Sequence, residues 1–382
     1  MALPYVKINF ANGVLGAVEP LADSVVGFIT PATVVEGKFA LNKAYQIYDL
    51  NGLADLGITS ANNANLHKLV TEFYSQAGEG AECWIYGVAA STALDDILDV
   101  TAETPLAKNF VDAANGRLRA LVAYSGSENV DNLQDYITKA QVLGEWATET
   151  LYAPLVVFIG VNNTPELDLT TLTANRVGVL VGSQTSEGAP ALGILAGRFA
   201  ECSVEENIGK VRMGALANTK AFIGANEATN TVAASLDALG YITFRTFVGK
   251  SGFFFTTDSL ATGTNDDYRS LARRRTIDKA YRIAYATLLE HINEEVPVTE
   301  NGTIVAYYAK SLNMEVVSDI YNSMTANGEL STTSDADKGC ECEVDITNNI
   351  VATSKLFVAI KVRPYGYAKY IEVNLGFQIS NN

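Results

Sequence analysis

Tyr241-Ile-Thr-Phe-Arg-Thr-Phe-Val-Gly-Lys-Ser-Gly-Phe-Phe-Phe-Thr-Thr-Asp258 is followed, after a Gly/Thr/Asn break, by Asp266-Asp-Tyr-Arg-Ser-Leu-Ala-Arg-Arg-Arg-Thr-Ile-Asp-Lys-Ala280. The first half is β-branched and aromatic at strand-like spacing, interrupted by Gly249 and Gly252, and predicts two strands about a glycine turn. The second half opens with Asp266 and Asp267, acids that suit the partly positive start of a helix. Ile277, Tyr281, Ala284, Leu288 and Ile292 then recur at helical spacing and predict its buried face, with Pro297 as the stop. Arg269, Arg273, Arg274, Arg275, Lys279 and Arg282 crowd the first turns, although the chain carries a formal charge of −16. Such a run is ordinarily a solvated face. In an acidic protein it equally suits the acidic surface of a partner, another copy included.

Upstream, from Ser24 to about Phe222, strands alternate with helices. Val25 to Thr30, Cys83 to Val88, Leu118 to Tyr124, Leu155 to Val161 and Val177 to Gly182 are short runs of buried-strand character. Asn62 to Ala77 is amphipathic, with Leu66, Leu69, Val70, Phe73 and Tyr74 on one side and Gly78 as its stop. Leu106 to Ala114, Val130 to Thr148 and Ala189 to Ala200 also read as helices, as does Asn226 to Leu239, capped by Asn226. The pattern predicts an α/β (α+β) chain with mixed sheets flanked by helices. Downstream, Thr303 to Tyr308 reads as a strand, Tyr308 to Ala326 as a helix and 327–339 as a polar loop. Cys342 to Ile346, Lys355 to Arg363 and Gly366 to Ile379 read as strands. A terminus as apolar as the last of these must be covered, by its own sheet or by a neighbour's. At the other end, Tyr5 to Phe10 alternates as a single short strand.

The chain has 382 residues, 48% hydrophobic and 18% charged, which is globular and long enough for two domains. Its acidity argues against nucleic acid and against an anionic membrane surface. There is no run long enough to span a bilayer and no signal-like start, so folding in a cytoplasm is expected. Four cysteines in such a chain do not make a disulfide framework.

Residues for chemistry are sparse. The two histidines, His67 and His291, lie on separate predicted helices, and no nucleophile elbow is present. Cys340-Glu-Cys342 has no histidine nearby and lacks familiar zinc spacing. Adjacent carboxylates such as Asp95 with Asp96, or Glu294 with Glu295, point about 100° apart on a helix and make no acid/base pair. Loops after the strands (125–128, 160–164 and 182–186) contain no phosphate-binding Gly-Lys-Ser/Thr ending. No catalytic, metal or cofactor site is expected. The open alternative is an α/β enzyme or ligand-binding domain using those loops.

The run from Arg245-Thr-Phe-Val-Gly through Phe253-Phe-Phe-Thr-Thr-Asp258 to Asp266-Asp-Tyr268 and Arg275-Thr-Ile-Asp-Lys-Ala280 resembles the signature region of contractile tail sheath proteins. These belong to contractile-tailed phages and phage-like injection systems. The likeness is clearest over Gly188 to Gly302, which includes Gly193-Ile-Leu-Ala-Gly-Arg-Phe-Ala200. It implies a non-enzymatic subunit that polymerises helically around an inner tube and contracts to drive the tube through a target envelope. The implied parts are an N-terminal arm (1–20), an outer α/β domain (21–222), an inner core (223–365) and a C-terminal arm (366–382). The arms would exchange strands with neighbouring subunits, through Tyr5, Val6, Ile8 and Phe10 at one end and Tyr370, Ile371, Val373, Leu375 and Phe377 at the other. The implied partners are further copies, the inner tube, and baseplate and terminator proteins, in a virion tail or injection particle assembled in a bacterial host. Arg269, Arg273, Arg274, Arg275 and Lys279 would meet the tube or a sheath neighbour, unless they pair internally with Asp258, Asp266 or Asp267. Another tail or baseplate component is the second alternative.

Overall fold

The apolar runs predicted as buried strands do pair into one sheet. A computed structural model describes residues 23–126, 128–373 and 375. The chain divides into two compact units, Met1–Arg274 and Arg275–Asn382.

In the first unit the sheet contains β1 (Val26–Pro31), β2 (Ala44–Ile47), β3 (Cys83–Val88), β4 (Ala120–Ala123), β5 (Val156–Val161) and, after the two-residue β6 (Thr173–Ala174), β7 (Val177–Val181). Their spatial order is β2-β3-β1-β4-β5-β7, parallel throughout except for β2, which runs antiparallel at one edge. The helices are α1 (Leu50–Asp55), α2 (Ala64–Ala77), α3 (Leu94–Leu98), α4 (Leu106–Ala113), α5 (Leu133–Thr150) and α6 (Leu192–Glu201). Successive strand residues point to opposite faces, so each strand feeds two cores. Phe28, Val122, Phe158 and Leu180 pack with Leu66 and Phe73 of α2 and Leu195 and Phe199 of α6. Ile29, Leu121, Val157 and Val179 pack with Phe110 of α4 and with Ile137 and Leu143 of α5. Both faces are covered, as expected for a parallel sheet.

The contact of α2 with α6 depends on two glycines. A Cβ on Gly193 would lie 2.3 Å from the Leu69 carbonyl oxygen, and one on Gly197 would lie 2.7 Å from that of Phe73. Glu72, buried on α2, accepts the Gly193 N–H at 3.2 Å and a hydrogen bond from Gln184 at 2.7 Å, with Lys68 2.5 Å away. Burial outweighs these partners and raises its carboxyl above the usual range. In an open helix Gly→Ala gains about 1 kcal/mol. Here the clash is with backbone, and Gly193→Ala is expected to destabilise the chain by about 2–3 kcal/mol in denaturant unfolding.

The remainder of the first unit is β8 (Phe222–Ile223), β9 (Asn226–Glu227), α7 (Asn230–Ala238), β10 (Phe244–Phe247), β11 (Lys250–Phe255) and β12 (Ala261–Thr262). Tyr241 to Thr243, wholly buried, run beside β7: Val181 N donates to Ile242 O at 2.9 Å and Ile242 N to Val179 O at 3.0 Å. The quoted stretch thus continues the sheet before turning into the predicted β10–β11 hairpin. Ile242, Phe244, Phe255, Leu260 and Leu271 share one core with the sheet. Helix α7 begins at Asn230, later than expected. Thr229 caps it through Val232 N, while Asn226 is taken up in the β8–β9 ladder that closes around Gly224 at φ 60°.

The second unit follows from within α8 (Leu271–Leu289) and holds α9 (Ala306–Ile320), a π-helical turn Tyr321–Thr325, β13 (Cys340–Val344), α10 (Ile350–Thr353) and β14 (Val358–Val362). β13 and β14 form an antiparallel hairpin, with Val344 in a small core beside Ile304, Ala309 and Leu312. Within the expected strand at 303–308, α9 starts at Ala306, preceded by two isolated bridges, Ile304 to Val298 and Thr303 to Asn349. Within the expected strand Gly366 to Ile379, residues 366–373 and 375 lie in no strand, and the rest falls outside the described residues.

Candidate assembly surfaces

Helix α8 starts at Leu271, not at Asp266, because its N-terminal N–H groups are met from elsewhere in the chain. Asp258, 4% exposed after β11, accepts the Ala272 N–H at 3.1 Å and the Ser270 hydroxyl at 2.6 Å on the same oxygen, and its main-chain oxygen accepts Leu271 N–H at 2.9 Å. Burial pushes its carboxyl above the usual range despite the bonds from Ser270, Ala272 and Asn207. From the sequence alone, Asp258 stands only as an ion-pair partner for the arginines. A cap supplied from a distant loop leaves no local spacing to detect. Asp266 instead anchors the preceding turn. Burial works against its charge, but bonds from Tyr268 N–H, Thr262 and Asn175, with Arg274 nearby, outweigh it and hold the carboxyl below the usual range.

The basic residues share α8 and its approach but not one environment. Arg275 is 5% exposed; Arg269, Arg273, Arg274 and Lys279 are half-buried. Arg274 lies over the Tyr268 ring at 4.3 Å, within cation–π range. Lys279 bonds Glu329 at 2.7 Å, with both side chains largely out of water. The predicted apolar face is rotated. Ala272, Arg275, Thr276, Asp278, Ala280, Ala284 and Thr287 are buried, whereas Tyr281 is exposed and Ile292 lies exposed beyond the helix end. The helix ends at Leu289, well before Pro297. Part of the basic run is therefore held inside the fold.

The carboxyl arm contrasts with this. Tyr370, Ile371, Val373 and Leu375 are 79%, 79%, 76% and 95% exposed. Phe377 and the amino-arm residues Tyr5, Val6, Ile8 and Phe10 lie outside the described residues. β13 and β14 pair only with each other among the described strands.

The groups suited to chemistry are dispersed. His67 sits on α2 with Thr71 Oγ1 3.5 Å from its Nδ1. Cys340 and Cys342 contact α9 through Val317 O at 3.8 Å and Asn313 at 3.5 Å, and burial pushes both thiols up. Among the described residues no group of three His, Cys, Asp or Glu is arranged to hold a metal, and no helix is long and apolar enough to cross a membrane. After β4, Glu128 folds back to accept the Ser125 N–H at 2.5 Å and the Gly126 N–H at 3.2 Å, so the chain's own carboxylate occupies these two loop amides.

Among solved structures, the chain is similar to one from the cryo-EM structure of the anti-feeding prophage (AFP) baseplate, 6-fold symmetrised. The TM-score is 0.66 at 15% identity, covering 99% of this chain and 100% of that one. It is also similar to a chain of the PVC sheath complex of an extracellular contractile injection system in its contracted state, with TM-score 0.61, 14% identity and 98% of both chains covered. The fold is thus shared over nearly the full length of each. No curated protein matches the sequence. The DUF2586 N-terminal domain model matches residues 3–259 and the DUF2586 C-terminal domain model residues 267–382, and with both parts present in order the chain belongs to the DUF2586 family.

Proposed function

We propose that the chain is the repeating subunit of a contractile tail sheath. Copies polymerise helically around an inner tube in an extended lattice, then relax into a contracted one that drives the tube through a target envelope. The observation that carries this reading is the full-length fold shared with a chain of a contracted sheath complex, 98% of each chain superposing. The work is mechanical, two packings of a nearly rigid subunit, and calls for no catalytic step. The exposed carboxyl arm supplies a strand to a neighbour, joined by the amino arm. The half-buried part of the basic set, Arg269, Arg273 and Arg274, meets the tube or a sheath neighbour. Baseplate and terminator proteins bound the polymer, in a phage tail or phage-like particle assembled in a bacterial host's cytoplasm.

A second reading, a baseplate component of the same machinery, is favoured by the likeness to a chain of the AFP baseplate structure. Negative-stain electron microscopy of the purified chain, alone and with its tube protein, separates the two. Hollow cylinders of regular width are expected. Particles that stay discrete in both conditions would overturn the sheath reading, and rings that form only with baseplate proteins would establish the second.

A further inference from the structure

His291, just beyond α8, has both ring nitrogens against carboxylates. Nδ1 lies 2.5 Å from Glu294 Oε2 in the same turn, and Nε2 lies 3.2 Å from Glu315 Oε2 on α9. Tyr308, also on α9, donates its hydroxyl to the same Glu294 oxygen at 2.8 Å. A neutral imidazole has one N–H and one lone pair, so it would set a lone pair against one carboxylate; only the imidazolium donates to both. We propose that His291 is a proton-dependent clasp, its imidazolium tying the turn after α8 to α9 through Glu294 and Glu315 and releasing that turn when the ring loses its proton. The proposal stands on the second unit alone and holds whether or not the chain assembles.

The two nitrogens point to different carboxylates on different elements, which is a bridge between elements and not a common coordination point. The hydrogen bond to Glu294 is the largest effect; burial opposes it, Glu315 adds to it, and the ring is raised above its ordinary value of 6.5. Glu294 is held low in turn by His291 and Tyr308. The sign follows. A group whose pKa is raised by folding stabilises the folded form below its unfolded pKa, and that contribution disappears as pH rises through the folded value. The clasp is therefore closed below the ordinary imidazole value and opens as pH rises through the ring's raised value in the folded chain. Leu288 and Val296 anchor the two ends of the segment on the small core around Ile304, Ala309 and Leu312, while between them the backbone is bonded by single turns, His291 N to Leu288 O at 3.2 Å, Ile292 N to Leu289 O at 3.3 Å and Glu294 N to His291 O at 3.3 Å, so the clasp acts on the stretch between those anchors.

Hydrogen–deuterium exchange at the imidazole C2 position, read by mass spectrometry across pH, reports the titration of His291 in the intact chain. Backbone exchange over residues 288–296 is followed in parallel and corrected for intrinsic rates. His291 is expected to titrate above 6.5, and the Glu294→Gln/Glu315→Gln double variant to titrate lower. Backbone exchange of the segment should rise several-fold as the ring deprotonates in the parent, and stay level with pH in His291→Gln. Titration at or below 6.5, an unchanged titration in the double variant, or segment exchange indifferent to the ring's charge would each overturn the clasp.

Discussion

A chain ending at Tyr365 is expected to remain soluble and folded, to unfold at the same denaturant concentration as the full chain, and to form no cylinders. The described part of the deleted segment makes no strand and leaves Tyr370, Ile371, Val373 and Leu375 in water, so its loss removes little from the subunit itself. Covering those four side chains on a neighbour is worth about 1.5–3 kcal/mol each before the cost of ordering the arm. In a helical polymer every junction would lose that contribution at once. Ile371, Val373 and Leu375 fall two residues apart and share one face of an added strand. Val373→Asp should therefore reproduce the truncation, while Glu372→Lys, on the opposite face, should assemble nearly as the parent does. Electron microscopy and sedimentation read both variants, and normal cylinders from the truncated chain would show that this arm is dispensable.

Asp258→Ala is expected to destabilise the unassembled chain by about 2–4 kcal/mol, because it removes the cap of α8 and leaves the Ser270 hydroxyl and Ala272 N–H without their acceptor. Both bonds end on one carboxylate oxygen. The amide oxygen of Asp258→Asn can take that place, so this variant should cost under about 1 kcal/mol. The pH dependence separates the two substitutions further. Burial raises the folded-state pKa of Asp258, so its linked contribution favours the fold below the ordinary carboxylate range and is lost as pH rises through the raised value. Asp258→Asn should flatten that part of the stability profile. Urea unfolding at several pH values measures both effects. If Asn proves as costly as Ala, the negative charge at the helix start matters more than the acceptor.

The five parallel strands were legible because each is buried on both faces and is written as a short apolar run, and α2 because its apolar side recurs cleanly; the partly exposed edge strand β2, Ala-Tyr-Gln-Ile, carries no such run and was missed. What sequence reading missed depends on distant residues. Nothing near Leu271 announces that Asp258 will cap α8, and with an internal partner supplied, the acids at 266 and 267 lose the role that local rules gave them. The face of α8 was misplaced because Arg275, Thr276 and Asp278 are buried with polar partners, whereas Tyr281 tolerates water; hydropathy ranks these residues the other way. Ile242, Phe244 and Phe255 of the focal stretch complete the apolar layer of the preceding sheet, a long-range packing that the local pattern of strands and turns does not show. The carboxyl end is rich in strand-forming residues, but propensity supplies no partner, and its described residues remain unpaired as a strand.

Where Gly193 and Gly197 bring α6 onto α2, peptide groups lie close to side-chain stems and carbonyls with no compliant layer between. Side chains yield to stress by changing rotamer, whereas planar peptide units have no comparable soft motion. Such a seam is expected to act as a strut, passing a push along it as displacement more than as local repacking, and Ala substitutions that spread the helices are expected to soften the subunit as well as destabilise it.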